Sequence, residues 1–379
     1  MANPSTAWHT PSDDSAARWL DDLLSRCLRD HASDLHFEPG GGKLRVRRRI
    51  DGLLQEIEVP QHLHPERMTS RLKILARLDI GERRKPQDGR WSMDWQGERV
   101  HLRVSTMPTV RGEKLVLRIL RLHAQLGRLE DLGYSRVDLA RLRQALKQPD
   151  GLILFTGPTG AGKTLSLYHC LQELNRPEIN IATVEDPVEI VLPGIHQVAV
   201  QEAIGLDFYH SLRALLRQDP DVLMVGEIRD LATAKVAVQA AQTGHLVLST
   251  LHCNDACHAL IRLQDLGLPL YHIATCLRLI TAQRLVRRLC PQCETPQQPG
   301  LWHAEGCDQC QHGYRGRIAL FEILPISEAM QTMVLSGADI KALQRQARAE
   351  GIDTLRQDGM NKIHRGITTW QEVEAVTHA

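Results

Sequence analysis

The chain has 379 residues, enough for two or three domains, each with its own core. A formal charge of +1 gives no strong field for nucleic acid or an anionic membrane, and 4% aromatics is low for a protein that stacks bases, so direct nucleic-acid binding is not expected. No apolar run reaches spanning length and no charged-then-apolar leader opens the chain, which predicts a cytoplasmic protein whose membrane contact is peripheral.

Residues 1–15, rich in Ser, Pro and Asp, read as a disordered lead-in. From Ala16 to Arg29, Trp19, Leu20, Leu23, Leu24, Cys27 and Leu28 share one helical face. Strands are expected at Leu35–Phe37, Leu44–Arg49 and Gln55–Val59, then a helix over Pro65–Leu78 and a basic loop from Glu82 to Arg90. Strands at Arg90–Trp95, Arg99–Ser105 and Lys114–Leu120 complete a small α/β domain over residues 16–123, with a linker at 124–136 and a helix near Arg136–Lys147.

Leu152–Phe155 is apolar enough for a buried parallel strand and runs into G-x-x-x-x-G-K-T from Gly157 to Thr164, followed by a helix over Leu165–Leu174. A strand, a Gly-rich loop and a helix N-terminus turn amide N–H groups and a positive dipole end toward an anion, so the implied ligand is a nucleoside triphosphate. The cradle is Gly157, Pro158, Thr159, Gly160, Ala161, Gly162, Lys163 and Thr164. Lys163 would reach the β- and γ-phosphates and Thr164 would hold Mg²⁺. A chance match in a Gly-rich turn is the competing reading, and the flanking strand and helix weigh against it.

Strands near Ile179–Val184, Val188–Ile190, Val222–Val225 and His245–Ser249 alternate with helices over Phe208–Arg217 and Leu231–Ala241. That alternation predicts a parallel sheet with nucleotide at the strand C-terminal edge, in a core over residues 137–285. Leu223–Glu227 is an apolar strand ending in a carboxylate, with Gly226 where many P-loop enzymes place a Mg²⁺-binding Asp, so Glu227 is the natural general base.

Cys290-Pro-Gln-Cys293 and Cys307-Asp-Gln-Cys310 are two C-x-x-C knuckles separated by thirteen residues, a spacing at which four thiolates close a tetrahedral Zn²⁺ site without His303 or His312. An all-protein ligand set argues for structure and not catalysis, in a zinc-binding subdomain over 286–324. Cys27, Cys170, Cys253, Cys257 and Cys276 read as packing residues, and nine cysteines so distributed fit a reducing compartment. Residues 325–379 are polar and helical, with Gly337, Gly351, Gly359 and Gly366 as stops.

Several words in one collinear order over about residues 16–324 resemble the secretion ATPases of type II secretion and type IV pilus assembly, the GspE/PilB family. They include Ala32-Ser-Asp-Leu-His36, Leu78-Asp-Ile-Gly-Glu-Arg-Arg84, Pro86-Gln-Asp-Gly-Arg90, the P-loop, Thr183-Val-Glu-Asp-Pro-Val-Glu189, Leu216-Arg-Gln-Asp-Pro-Asp221, Val225-Gly-Glu-Ile-Arg-Asp230, and Thr243-Gly-His245 through Leu251-His-Cys-Asn-Asp255. The resemblance implies an α/β fold with a RecA-like P-loop ATPase core and a preceding small α/β domain. It implies an acidic box in which Glu185, Asp186 and Glu189 orient the attacking water or Mg²⁺, and a His box in which His245 and His252 sense the γ-phosphate.

It also implies that Arg103, Arg118, Arg213 and Arg217 face nucleotide across domain or subunit boundaries, since guanidinium groups bridge phosphate oxygens as charge spreads. The implied protein is a homohexameric, Mg²⁺-dependent ATP hydrolase that drives pilin or pseudopilin assembly at an inner-membrane platform protein. Larger members carry an additional N-terminal domain for that docking, and this chain begins almost directly at the middle domain. The zinc knuckles favour the assembly branch over a retraction or DNA-transfer motor. Glu227 and Glu185 together argue against a non-hydrolysing ATP-binding scaffold.

Overall fold

A computed structural model of the chain describes residues 15–120, 126–298 and 301–377; the expected lead-in over 1–14 lies outside them. The chain separates into two units, Met1–Ala124 and Gln125–Ala379.

The first unit runs α1 (Ser15–Arg29), β1 (Asp34–Gly40), β2 (Lys43–Ile50), β3 (Leu53–Ile57), α2 (Pro65–Leu75), β4 (Gln87–Trp95), β5 (Glu98–Thr109) and β6 (Gly112–Leu120). The basic stretch expected as a loop to Arg90 enters β4 at Gln87. All pairings are antiparallel, in the order β3-β2-β1-β6-β5-β4. Period-two alternation puts Leu35, Phe37, Val46, Val104 and Leu117 into one core with Leu20, Leu24 and Leu28 of α1 and Met68 and Leu72 of α2. The opposite face carries a row of directly facing residues, Arg49, Asp34, Arg118, Arg103 and Arg90, across five strands.

The second unit contains α3 (Arg136–Leu146), β7 (Gly151–Thr156), α4 (Lys163–Leu174), β8 (Ile181–Glu185), β9 (His196–Ala199), α5 (Phe208–Leu215), β10 (Val222–Val225), α6 (Leu231–Gln242) and β11 (Leu246–Leu251). It continues with α7 (Ala256–Asp265), α8 (Leu270–Cys276), β12 (Leu277–Leu289), β13 (Glu294–Gln298), β14 (Leu301–Ala304), β15 (Tyr314–Pro325), α9 (Glu328–Leu335), α10 (Ile340–Ala349), α11 (Leu355–His364) and α12 (Trp370–Thr377). Seven strands form one sheet, ordered β15-β12-β7-β11-β10-β8-β9, parallel except for β15. The β7 run is buried on both faces: Ile153 and Phe155 pack with α3 and α4, Leu152 and Leu154 with α6, α7 and α8.

Two expectations differ from this arrangement. No strand forms at Val188–Ile190, in a stretch where Pro187 and Pro193 each lack the N–H a ladder needs; the parallel partner of β8 is β9. Residues 286–324 do not stand apart as a subdomain, because β12 and β15 are apolar strands paired along most of their length in the central sheet, and only the cysteine arm between Cys290 and Gly313 leaves it. The last four helices join the same core through Met330, Leu343, Leu355, Ile363 and Val373. Glu372 of α12 takes Arg287 of β12 at 2.6 Å, and a buried Asp358–Lys362 pair on α11 accepts the Phe321 amide at 2.8 Å, so these helices are fastened to the sheet.

Candidate nucleotide site

The parallel strands β7, β11 and β10 are neighbours, so the segments leaving their C-terminal ends converge. Thr156, the last residue of β7, pins them: its Oγ1 accepts from the Cys253 amide at 2.9 Å and donates to the Leu251 and Cys253 carbonyls at 3.3 Å. Ser249 and Thr250 donate to the Val225 and Gly226 carbonyls at 2.7 Å, which fixes the exit of β10.

The loop Gly157–Gly162 joins β7 to α4. Gly157 passes so close to β12 that a side chain there would meet the Gln283 carbonyl at 2.5 Å, and Gly162 caps α4 at φ 86°. Pro158, Thr159, Gly160 and Ala161 form the turn between, and Ala161 is buried. The Lys163 ammonium is buried and donates to the Gly157 and Pro158 carbonyls at 2.7 and 3.0 Å. Burial presses its pKa down to about 8 against the pull of Glu227. Thr164 is exposed at the helix start, where a hydroxyl ligand for Mg²⁺ belongs.

Glu227 follows β10. Its Oε1 accepts from Arg229 Nη2 at 2.5 Å and its Oε2 lies 3.5 Å from His252 Nε2, at the end of β11. The hydrogen bond from Arg229 holds the Glu227 carboxyl below the usual carboxylate range despite partial burial, so it is ionised and able to take a proton. Gly226, beside it, is a close approach: a Cβ there would lie 3.2 Å from the Val184 carbonyl. Arg229 is a site residue that sequence reasoning missed, although it stands two positions from Glu227. So is Gln283, whose buried amide donates to the Ala161 carbonyl at 2.6 Å and accepts from Ser166 at 2.9 Å, bracing the loop from beneath.

Within the second unit, Glu185, His245, Arg213 and Arg217 stand apart from this point. Glu185 is buried, and its carboxylate accepts from Tyr168 Oη, from Thr183 Oγ1 at 2.6 Å and from Gln197 Nε2 at 3.0 Å. It turns onto the α4 face because it shares strand parity with Thr183. Asp186 instead lies 3.9 Å from Arg229.

His245 sits before β11, where its carbonyl accepts the Gly151 amide at 3.1 Å, so it lies at the opposite sheet edge, about 20 Å along the strand from His252. There its ring contacts the Ala240 carbonyl at 3.1 Å and finishes α6. Arg213 and Arg217 lie on and after the exposed side of α5, bonded to Tyr209 and to the Arg213 carbonyl, and the helix ends beside Asn180 at that same far edge. Neither reaches the P-loop of its own chain. Arg118 and Arg103 face each other in the first unit, paired with Asp34 at 2.9 Å and Asp88 at 3.5 Å, their side chains 60% and 45% exposed.

The four cysteine sulfurs of the arm lie within 4.8 Å of one another. The Cys290–Cys307 and Cys293–Cys310 pairs stand at 3.9 and 3.7 Å, close to the ~3.8 Å edge of a tetrahedron with 2.3 Å zinc–sulfur bonds, so the donor set fits Zn²⁺.

A Gly-rich loop between a buried parallel strand and a helix, with an ionised carboxylate ending the second strand along, defines a RecA-like P-loop ATPase. The chain belongs to the family described as Type II/IV secretion system protein, whose pattern matches residues 10–375. It is 46% identical over 385 residues to the type IV pilus assembly ATPase PilB of Pseudomonas aeruginosa, covering 96% of this chain and 68% of that one. With the type II secretion system ATPase E of Vibrio cholerae it shares 43% over 385 residues, covering 97% and 76%. The crystal structure of the pilus retraction motor PilT with bound ADP superimposes with a TM-score of 0.70 at 25% identity, over 94% and 96% of the two chains. The protein is thus an ATP hydrolase of the secretion and pilus family, and among the described residues no helix is long and apolar enough to cross a membrane.

Proposed function

We propose that the chain is a Mg²⁺-dependent, homohexameric motor that turns ATP hydrolysis into pilin or pseudopilin assembly, working on the cytoplasmic side of the inner membrane against a platform protein. The observation that carries the chemistry is Glu227, ionised, held by Arg229 and His252, and near enough for its charge to act on the P-loop lysine. Lys163 would grip the β- and γ-phosphates, and Mg²⁺ on Thr164 would screen their charge. Glu227 would accept the proton of the attacking water, with His252 close enough to register the γ-phosphate.

Assembly is favoured over retraction by the higher identity to PilB than to PilT and by a four-cysteine set that fits zinc. Arg103 and Arg118 are proposed to meet nucleotide across a domain or subunit boundary, which would explain an exposed arginine pair facing one another on a sheet surface. Arg213 and Arg217, exposed and remote from their own P-loop, could serve only a neighbouring copy. The test is to measure light scattering mass, bound zinc and ATP turnover on one full-length preparation. A species of six chains with one zinc per chain and Mg²⁺-dependent turnover is expected; a monomer that hydrolyses ATP at the same specific rate would refute the hexameric motor.

A further inference from the structure

Consecutive residues of β12 point to opposite faces, so as Gln283 braces the P-loop from the α4 side, Arg284 emerges on the other. The Arg284 guanidinium comes within 3.4 Å of the place a side chain would occupy at Gly157, the first residue of the loop. Its Nη1 donates to the Gln283 carbonyl at 3.1 Å and its Nη2 to the Asn254 carbonyl at 2.8 Å, two residues beyond His252. It is half-buried, and among the described residues it forms no ion pair with a carboxylate.

Two carbonyls supply partial charges and leave a formal charge unanswered, a costly state in a partly dry site. Burial pulls the guanidinium below its ordinary pKa, and Asp255 and Glu322 oppose that only at a distance. Lys163 is in the same condition, on the carbonyls of Gly157 and Pro158, with the positive field of Arg284 adding to its burial. Two half-satisfied cations therefore flank Gly157, one from the start of α4 and one from β12. An anion with several oxygens would answer both.

We propose that Arg284 is a second phosphate-contacting cation of the nucleotide site, supplied by the same chain from β12, which on binding ties the segment after His252 to the P-loop. The inference rests on the ATPase reading and extends it to a residue outside the P-loop motif and the strand that ends in Glu227.

The test measures Mg-ADP and Mg-ATP dissociation constants by calorimetry for the full chain, Arg284→Gln, Arg284→Lys and Lys163→Ala, with the thermal midpoint of each without nucleotide. Arg284→Gln should weaken both nucleotides by about tenfold or more, as expected for losing a charge-assisted hydrogen bond. Its nucleotide-free midpoint should be unchanged or higher, because an unanswered charge has been removed. Arg284→Lys should recover part of the affinity. Wild-type affinity in Arg284→Gln overturns the inference alone, as does a loss of affinity that tracks a lowered midpoint. A wild-type chain that binds neither nucleotide overturns the ATPase reading, and the inference falls with it.

Discussion

Arg229 and Glu227 form the shortest polar contact at the end of β10, 2.5 Å, and this contact holds the Glu227 carboxyl below the usual carboxylate range. The pair depresses the Glu227 pKa, so turnover should be retained at higher pH and lost only as pH falls through that depressed value. Replacing Arg229 with Gln removes the largest lowering influence, and the acid limb of the kcat profile should move to higher pH. An acid limb that stays where it is in Arg229→Gln would separate Glu227 from the titration.

His252 and His245 should behave differently on substitution. His252→Ala removes a group 3.5 Å from Glu227 and should lower kcat by roughly tenfold or more, a usual size for a group engaged in proton or charge handling. His245→Ala loses only its contact with the Ala240 carbonyl and should change the thermal midpoint more than the turnover of the monomeric site. Equal losses of kcat with unchanged melting would place a neighbouring chain's nucleotide against His245.

The contrast between these two histidines marks what the sequence could yield. The P-loop is local, and strand, glycines and helix start are consecutive, so Gly157–Thr164 and Glu227 were legible as a candidate site. Which end of β11 meets nucleotide follows from parallel pairing with β7, a long-range fact. The buried partners of Glu185 were hidden for a related reason: in a strand buried on both faces, polarity does not say which face a carboxylate takes, and Tyr168 and Gln197 reach it from other elements. Arg284 stands more than a hundred residues from the loop it touches, and nothing in its own neighbourhood announces that β12 pairs with β7. The four cysteines of the arm do converge, but the apolar runs on either side of it belong to the sheet.

Glu322 on β15 is buried and accepts the Ala256 amide at 3.0 Å, and its burial raises the carboxyl to about 7. A raised folded pKa means that its stability contribution is intact below about 4.5 and is lost as pH rises toward 7. Glu322→Gln keeps the acceptor without the charge. Urea unfolding should show the variant more stable than wild type by on the order of 3 kcal/mol above neutrality and equal to it near pH 4. A constant difference across that range would contradict this assignment.

Cys293→Ser should release zinc and open residues 290–313 to protease, while the P-loop chemistry persists in any chains that remain assembled. The arm has a second anchor in Trp302, which lies where a side chain at Gly366 would stand, 2.6 Å from its Cβ position. Cleavage is therefore expected first in the cysteine knuckles and later near Trp302. An arm equally resistant with and without zinc would show that this packing alone orders it.

The most direct measurement sets Lys163→Ala beside Glu227→Gln in the same purified chain, with ATP affinity and single-turnover hydrolysis read together. Lys163→Ala should lose most triphosphate affinity, because the buried ammonium is the group aimed at the phosphates. Glu227→Gln should bind ATP about as tightly as wild type and hydrolyse it at least about a hundredfold more slowly, since it keeps the shape of the site but cannot take a proton from water. If Glu227→Gln turns over ATP at the wild-type rate, or if both variants lose binding equally, Glu227 is not the base and the site works by another arrangement.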